Sequence, residues 1–200
     1  MSSINVNLDS ALDAFKIESE SILATGENID REEFSRAVVA LASASRICAS
    51  GCGHSGIACR HFAHLMCCID LPARFLSPAE AVHGGLGFVH EDDVLVIVSR
   101  GGKTDELMPI VEVAKTKGAK IICVTEKLES PLAQLSDIKL KMTITKECDK
   151  YNCQGTTSFA VTNAIFDALQ TALVEYTGYK NETFALIHPG GAVGKRLNNK

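Results

Sequence analysis

Ser50-Gly51-Cys52-Gly53-His54-Ser55-Gly56 follows a short apolar run and opens a helical pattern, and the same grammar returns at Ser99-Arg100-Gly101-Gly102-Lys103-Thr104. In both stretches an apolar strand-like run gives way to glycines and hydroxyls and then to helical periodicity, which reads as strand, tight turn, helix. Glycines in such a turn let backbone N–H groups approach an anion, while hydroxyls and the helix N-terminus add donors. Two such turns in one small chain imply a phosphorylated small molecule, with Ser50, Gly53, Ser55, Ser99, Arg100, Gly101 and Thr104 as candidate contacts. Arg100 and Lys103 either add charge to that site or stand as solvated rim residues.

On either side of these turns the chain alternates. Leu8 to Ala24 and Arg31 to Ala44 carry apolar residues at three- and four-residue intervals, with Asn7 and Asp30 as N-cap candidates, and read as amphipathic helices. Arg46 to Ala49, Ala73 to Leu76, Val94 to Val98, Lys120 to Val124 and Ile138 to Met142 are short β-rich runs. Ile57 to Ile69, Asp105 to Lys117 and Pro131 to Gln134 supply crossovers, and Thr156 to Thr177 reads as a long apolar helix. This alternation predicts an α/β fold, a doubly wound five-stranded parallel sheet flanked by helices, flavodoxin-like in plan. Ligands of such sheets bind outside the carboxyl ends of the strands, where both Gly/Ser turns fall.

The 200 residues, 46% hydrophobic and 22% charged, are read as one domain over 1–200, with N-terminal helices at 8–44 and the sheet core and site loops at 45–197. There is no internal repeat, and no further domain is expected beyond Gly194-Lys195-Arg196-Leu197. A net charge of −4 lacks the basic excess that neutralises a nucleic-acid backbone, so no nucleic acid is expected as partner. No basic segment precedes a long apolar core, and no run approaches the roughly 18 residues of a membrane span, so a cytoplasmic protein without membrane contact is expected. The eight cysteines lie mostly within apolar patterns and lack paired C-x2-C spacing. That favours reduced thiols over disulfides or zinc, and neither metal nor cofactor is expected. Cys148 and Cys153 flank a candidate site segment and are the two thiols whose reactivity merits testing.

Three further segments could carry chemistry. In Ser77-Pro78-Ala79-Glu80-Ala81-Val82-His83-Gly84-Gly85-Leu86-Gly87 an imidazole precedes a glycine turn, so His83 is an acid–base candidate on what is otherwise a solvent-facing loop. Thr145-Lys146-Glu147-Cys148 follows the last strand, making Glu147 either a general base or an exposed loop carboxylate, and Thr156-Thr157-Ser158 caps the helix after it. Ile187-His188-Pro189-Gly190-Gly191-Ala192-Val193-Gly194 presents His188 on a Pro/Gly turn, or else is a terminal tail. His61, His64 and His90 read as ordinary surface or helix residues.

Taken in order, these segments resemble the sugar isomerase (SIS) domain and, within it, the arabinose-5-phosphate isomerase family. The resemblance runs from about Ala44 to Leu197 and includes Thr125, Ser130-Pro131-Leu132-Ala133 and Lys146-Glu147-Cys148. Its most specific pieces are Pro78-Ala79-Glu80-Ala81-Val82-His83-Gly84 and His188-Pro189-Gly190-Gly191. It implies an aldose–ketose isomerase that interconverts arabinose 5-phosphate and ribulose 5-phosphate without a metal, on a path to an eight-carbon acid sugar. Most members carry two CBS repeats, so this chain looks like a single-domain form. By position, the resemblance puts the family's functional sites on His54, Glu106, Glu147 and His188, the last often from a neighbouring subunit, with His83 as a fifth polar group. Phosphate contacts would fall on Ser55, Ser99 and Thr104.

Two departures accompany the likeness. The family usually has lysine where this chain has His54, and Asn-Ser-Gly-Glu where it has Arg100-Gly101-Gly102-Lys103. Imidazole is shorter than a lysine side chain and is not a fixed cation, while the added charges imply a phosphate held more by charge and backbone. The resemblance also implies a mechanism: Glu147 moves the carbon proton through a cis-enediol, His188 opens the ring or protonates oxygen, and His83 and His54 stabilise the enediolate. Glu106 would orient hydroxyls or help His54. Helices apolar beyond one face, with family sites built across subunits, lead to a homotetramer of paired dimers as the expectation. The alternatives are a non-catalytic phosphosugar-binding regulator and an isomerase of another phosphosugar.

Overall fold

The computed structural model describes residues 8–198. Five parallel strands, β1 (Ile47–Gly51), β2 (Ala73–Phe75), β3 (Val94–Val98), β4 (Lys120–Thr125) and β5 (Ile138–Lys141), lie in the order β2-β1-β3-β4-β5. The register is continuous, Ile47 facing both Ala73 and Val94, and Val94 facing Lys120. β1 and β3 are buried throughout, as expected of central strands covered on both faces.

Alternation along the strands divides the core in two. Ile47, Ala49, Val94, Val96, Val98, Ile122 and Val124 face one layer with α2 (Arg31–Ser43), α3 (Gly53–Cys67) and α7 (Thr157–Thr177). Cys48, Leu95, Ile97, Ile121 and Cys123 face the other, with α4 (Pro78–Ala81), α5 (Met108–Thr116) and α6 (Pro131–Leu135). The first layer is closed by stacked Phe62 and Phe166, 4.3 Å between ring centroids. α1 (Leu8–Asn28) packs on α7 but leaves Leu8, Leu12, Phe15 and Leu23 exposed. No helix among the described residues is long and apolar enough to cross a membrane.

Several expected boundaries move. Asp30 does cap α2, its Oδ1 accepting from the N–H groups of Glu32 and Glu33, whereas Asn7 lies outside the described residues. α3 begins at Gly53 rather than Ile57, so the glycine-rich stretch is itself the first helical turn. Gly56 is required there, because a Cβ would stand 2.5 Å from the Gly51 carbonyl oxygen. Residues 105–107 form a 3-10 turn before α5, and Pro109 sits in the first turn of that helix, where its missing N–H is harmless. α4 occupies what reads as loop, and α8 (Asn181–Ile187) and α9 (Gly191–Asn198) flank the Pro/Gly turn at His188.

β1 leads to β2 on one side, and the chain then returns to β3 on the other. The carboxyl ends of β1 and β3 therefore flank the crevice where such sheets bind ligands.

Candidate functional site

The loop after β3 is closed by its own hydroxyls. Ser99 Oγ lies 2.9 Å from Thr104 Oγ1 and accepts the Gly102 N–H at 3.0 Å. Gly102 holds φ +63°, and a Cβ there would collide with Ser130 Oγ. The Arg100 carbonyl accepts from Thr125 Oγ1 and from the Glu126 N–H, each at 3.0 Å, which fastens this loop to the end of β4.

Glu147 follows β5 and is 1% exposed, so the exposed-loop alternative does not hold. Its Oε1 accepts from Arg100 Nη1 at 2.6 Å. Its Oε2 accepts the Ser158 N–H at 3.2 Å and the Thr156 hydroxyl at 3.3 Å. Thr156 makes no side-chain cap on α7. The cap comes instead from the Glu147 carboxylate, whose charge suits a helix N-terminus. The Glu147 N–H donates to Asn152 Oδ1 at 2.6 Å, and Asn152 itself takes φ +55°.

Arg100 is divided between two carboxylates, since its Nε donates to Glu126 Oε2 at 2.8 Å. Partial burial alone would raise the Glu126 carboxyl, but Lys127 and Arg100 outweigh it and hold the group below its usual range. The Arg100 side chain also lines a small pocket of about 10 Å³ with His54, Ser55, Met142, Ser158, Phe159 and Thr162. His54 stands in the first turn of α3, edge-on to Phe159 at 6.0 Å.

The switch-point cleft is larger, about 510 Å³, and its wall includes Gly53, Ile57, Arg60, Phe75, Val82 and Glu106. Arg60 lies over the Phe75 ring at 4.0 Å. Burial, aided by the Glu106 charge, raises the Cys52 thiol beside it.

The structure thus gathers His54, Ser55, Arg100 and Glu147 at one place, Gly53 and Glu106 in the adjoining cleft, and Ser99 with Thr104 in the loop between β3 and α5. Gly101 is exposed, and Ser50 is buried in β1 with its Oγ unpartnered among the described residues. His83 is exposed in the turn after α4 and His188 ends α8, its ring stacked on Phe184 at 3.8 Å; neither lines either pocket. Glu126, Phe159 and Arg60 escaped sequence reasoning. Glu126 carries the signal that marks Ser99 and Glu147, a polar residue just past a strand's carboxyl end.

The thiols are free. Burial pushes Cys48 up to about 11 and Cys123 to about 12, against thiolate chemistry at neutral pH. Cys148 Sγ lies 3.3 Å from Thr157 Oγ1 and faces the Ala14 carbonyl on α1, while Cys153 is exposed. Among the described residues no group of three or more His, Cys, Asp or Glu is placed to hold a metal ion.

Against known proteins, the sequence profile of the SIS domain matches residues 40–172. This chain belongs to the SIS domain family. The SIS chain is 37% identical over 157 residues to the arabinose 5-phosphate isomerase KdsD of Pseudomonas aeruginosa, covering 78% of itself and 48% of that protein. It spans about half the length of the curated relatives it matches. A Listeria monocytogenes protein provisionally named a sugar-phosphate isomerase superposes with TM-score 0.89 at 37% identity, covering 92% of this chain and 96% of that one. Escherichia coli CFT073 c3406, solved in complex with arabinose 5-phosphate, superposes with TM-score 0.81 at 28% identity, covering 92% of this chain and all of that one.

Proposed function

We propose that this SIS chain is an aldose–ketose isomerase that interconverts arabinose 5-phosphate and ribulose 5-phosphate. The observation that carries the reading is a nearly fully buried carboxylate, Glu147, tied by Arg100 to a pocket shared with Ser55 and His54 at the end of the sheet where hydroxyl-rich turns meet. The isomerase names of the relatives and the sugar-phosphate complex of the structural neighbour supply the substrate class.

In this mechanism the Glu147 carboxylate takes the proton from C2 of the aldose, and the electron pair moves to form the C1–C2 double bond of a cis-enediol as the aldehyde oxygen is protonated. The same proton returns to C1 while the O2 hydroxyl gives up its own, leaving the ketose. Ser55, Ser99, Thr104 and the N–H groups around Gly53 and Gly101 hold the phosphate, and Glu106 orients hydroxyls from the switch-point cleft. His54 stabilises the enediolate. His188 lines neither pocket of its own chain, so it acts from a neighbouring copy, and the exposed apolar side of α1 suits such self-association. The reaction needs no metal.

The test is conversion of arabinose 5-phosphate to ribulose 5-phosphate by the purified chain with and without a chelator, alongside its mass by light scattering. Turnover that survives chelation, in a tetramer, is the expected result. Tight binding of ribulose 5-phosphate without exchange of a carbon-bound proton would instead make the protein a phosphosugar-binding regulator, and turnover confined to another phosphosugar would move the substrate.

A further inference from the structure

We propose that Arg100 is a positioning residue for Glu147 and not a ligand of the sugar's phosphate. The inference rests on the reading of Glu147 as the base, and it reassigns a residue whose place in a Gly/Ser turn points to anion binding.

Three observations carry it. First, the guanidinium fork is already engaged: Nη1 donates to Glu147 at 2.6 Å and Nε to Glu126 at 2.8 Å. Guanidinium–carboxylate bonds are directional, so two contacts to separate loops fix the plane of the group as well as its place. Second, the local charge is balanced. Lys127 also reaches Glu126 at 2.8 Å, so within this cluster of direct contacts Arg100 and Lys127 face Glu126 and Glu147, two cations against two anions, and the Arg100 charge is already matched. Third, Arg100 completes a two-point hold on the Glu147 carboxylate. The N-terminus of α7 grips Oε2 through the Ser158 N–H, and Arg100 grips Oε1 from the opposite loop. Its own backbone is pinned by Thr125 and Glu126, so it forms a rigid strut between the ends of β3, β4 and β5.

A strut and a phosphate ligand leave different kinetic traces. Misplacing a base slows the chemical step, whereas losing a phosphate contact weakens substrate binding. With Arg100→Gln in the full chain, kcat is expected to fall about 10²-fold while KM for arabinose 5-phosphate changes less than about threefold. Arg100→Lys keeps a cation within reach of Glu147 and should recover about tenfold of that loss. The dissociation constant of inorganic phosphate, measured by calorimetric titration, should stay within about threefold of wild type in both variants. Adding Arg100→Gln to Glu147→Gln should cost nothing further in kcat, because the strut then has no base to place.

A rise of tenfold or more in KM and in the phosphate dissociation constant, with kcat kept, would overturn the proposal and make Arg100 a phosphate ligand. Should the glutamine variant not fold, the lysine variant and its phosphate titration decide alone. Near-normal turnover in Glu147→Gln would sink the base assignment, a failure distinct from loss of phosphate binding in Arg100→Gln.

Discussion

Two ion pairs sit at opposite ends of β3, alike in exposure and unlike in design. At the amino end Asp93 is 1% exposed against an Arg46 side chain 34% exposed; at the carboxyl end Glu147 and Arg100 show the same two values. Asp93 takes a bidentate fork, Arg46 Nε at 3.1 Å and Nη2 at 2.8 Å, and its Oδ2 also accepts the His90 N–H. Arg46 is further pressed on the Phe88 ring at 4.5 Å, with Arg74 over the same ring at the same distance. It serves one carboxylate. Arg100 is split between two carboxylates from two loops and lines a pocket with a histidine and a serine. Burial of a charged pair therefore does not set the two ends apart. What does is an arginine shared between loops, at the end of the sheet where strands release their polar residues.

The sharpest way to break this comparison is to remove each carboxylate's charge. Glu147→Gln should lose about 10²- to 10⁴-fold in turnover, the usual contribution of a placed general base, whereas Asp93→Asn should stay within about threefold of wild type. Equal losses in a ribulose 5-phosphate assay would erase the distinction between staple and site. Stability should fall in both variants. By that measure the difference is one of degree: Asp93→Asn leaves Arg46 without its carboxylate and should lose about 3 kcal/mol, a fall of roughly 6–12 °C in Tm for a chain of this size, whereas Glu147→Gln leaves Arg100 paired with Glu126 and should lose less. A smaller step sharpens the point: Arg46→Lys loses the fork but keeps the charge, and calorimetry should show about 1 kcal/mol of lost stability with unchanged turnover.

How much of this was legible in the sequence follows from the same contrast. The sheet was, because short apolar runs such as Val94–Val98 broken by Gly/Ser turns admit few other arrangements. The place of the Gly/Ser turns after β1 and β3 and of Glu147 after β5 was, because polar residues just past a strand end have one place to go. The partner of Glu147 was not. Arg100 and Glu147 are 47 residues apart, and nothing in a linear pattern says which carboxylate a turn arginine will meet. Glu126 was missed although it stands directly after β4, the kind of position that drew attention to Ser99 after β3. The first turn of α3 was misplaced because glycines at 53 and 56 look like loop, yet Gly56 is demanded by close packing on Gly51. His188 had a chemical motif and no address, since the fold of its own chain stacks it on Phe184 away from both pockets.

The smallest effect concerns Glu126, the second carboxylate on Arg100. Partial burial pushes its carboxyl up, yet Lys127 and Arg100 hold it below the ordinary 4.5. A folded-state value below the unfolded one means that the folded chain binds fewer protons over that interval. The stabilisation is therefore complete above about 4.5 and lost as pH falls through the depressed value. Glu126→Gln removes it, so a plot of Tm against pH should show the variant below wild type at about pH 6 and converging on it towards about pH 3. A gap of constant size would mean that the two cations do not act on Glu126, and that Arg100 serves Glu147 alone. The carboxyl-end pair would then resemble the Asp93 staple more closely than its geometry suggests, one arginine for one carboxylate. Convergence that persists in a Lys127→Met background, by contrast, would show that Arg100 is shared in solution. A shared arginine can hold two loops in register at the end of the sheet, which a dedicated one cannot.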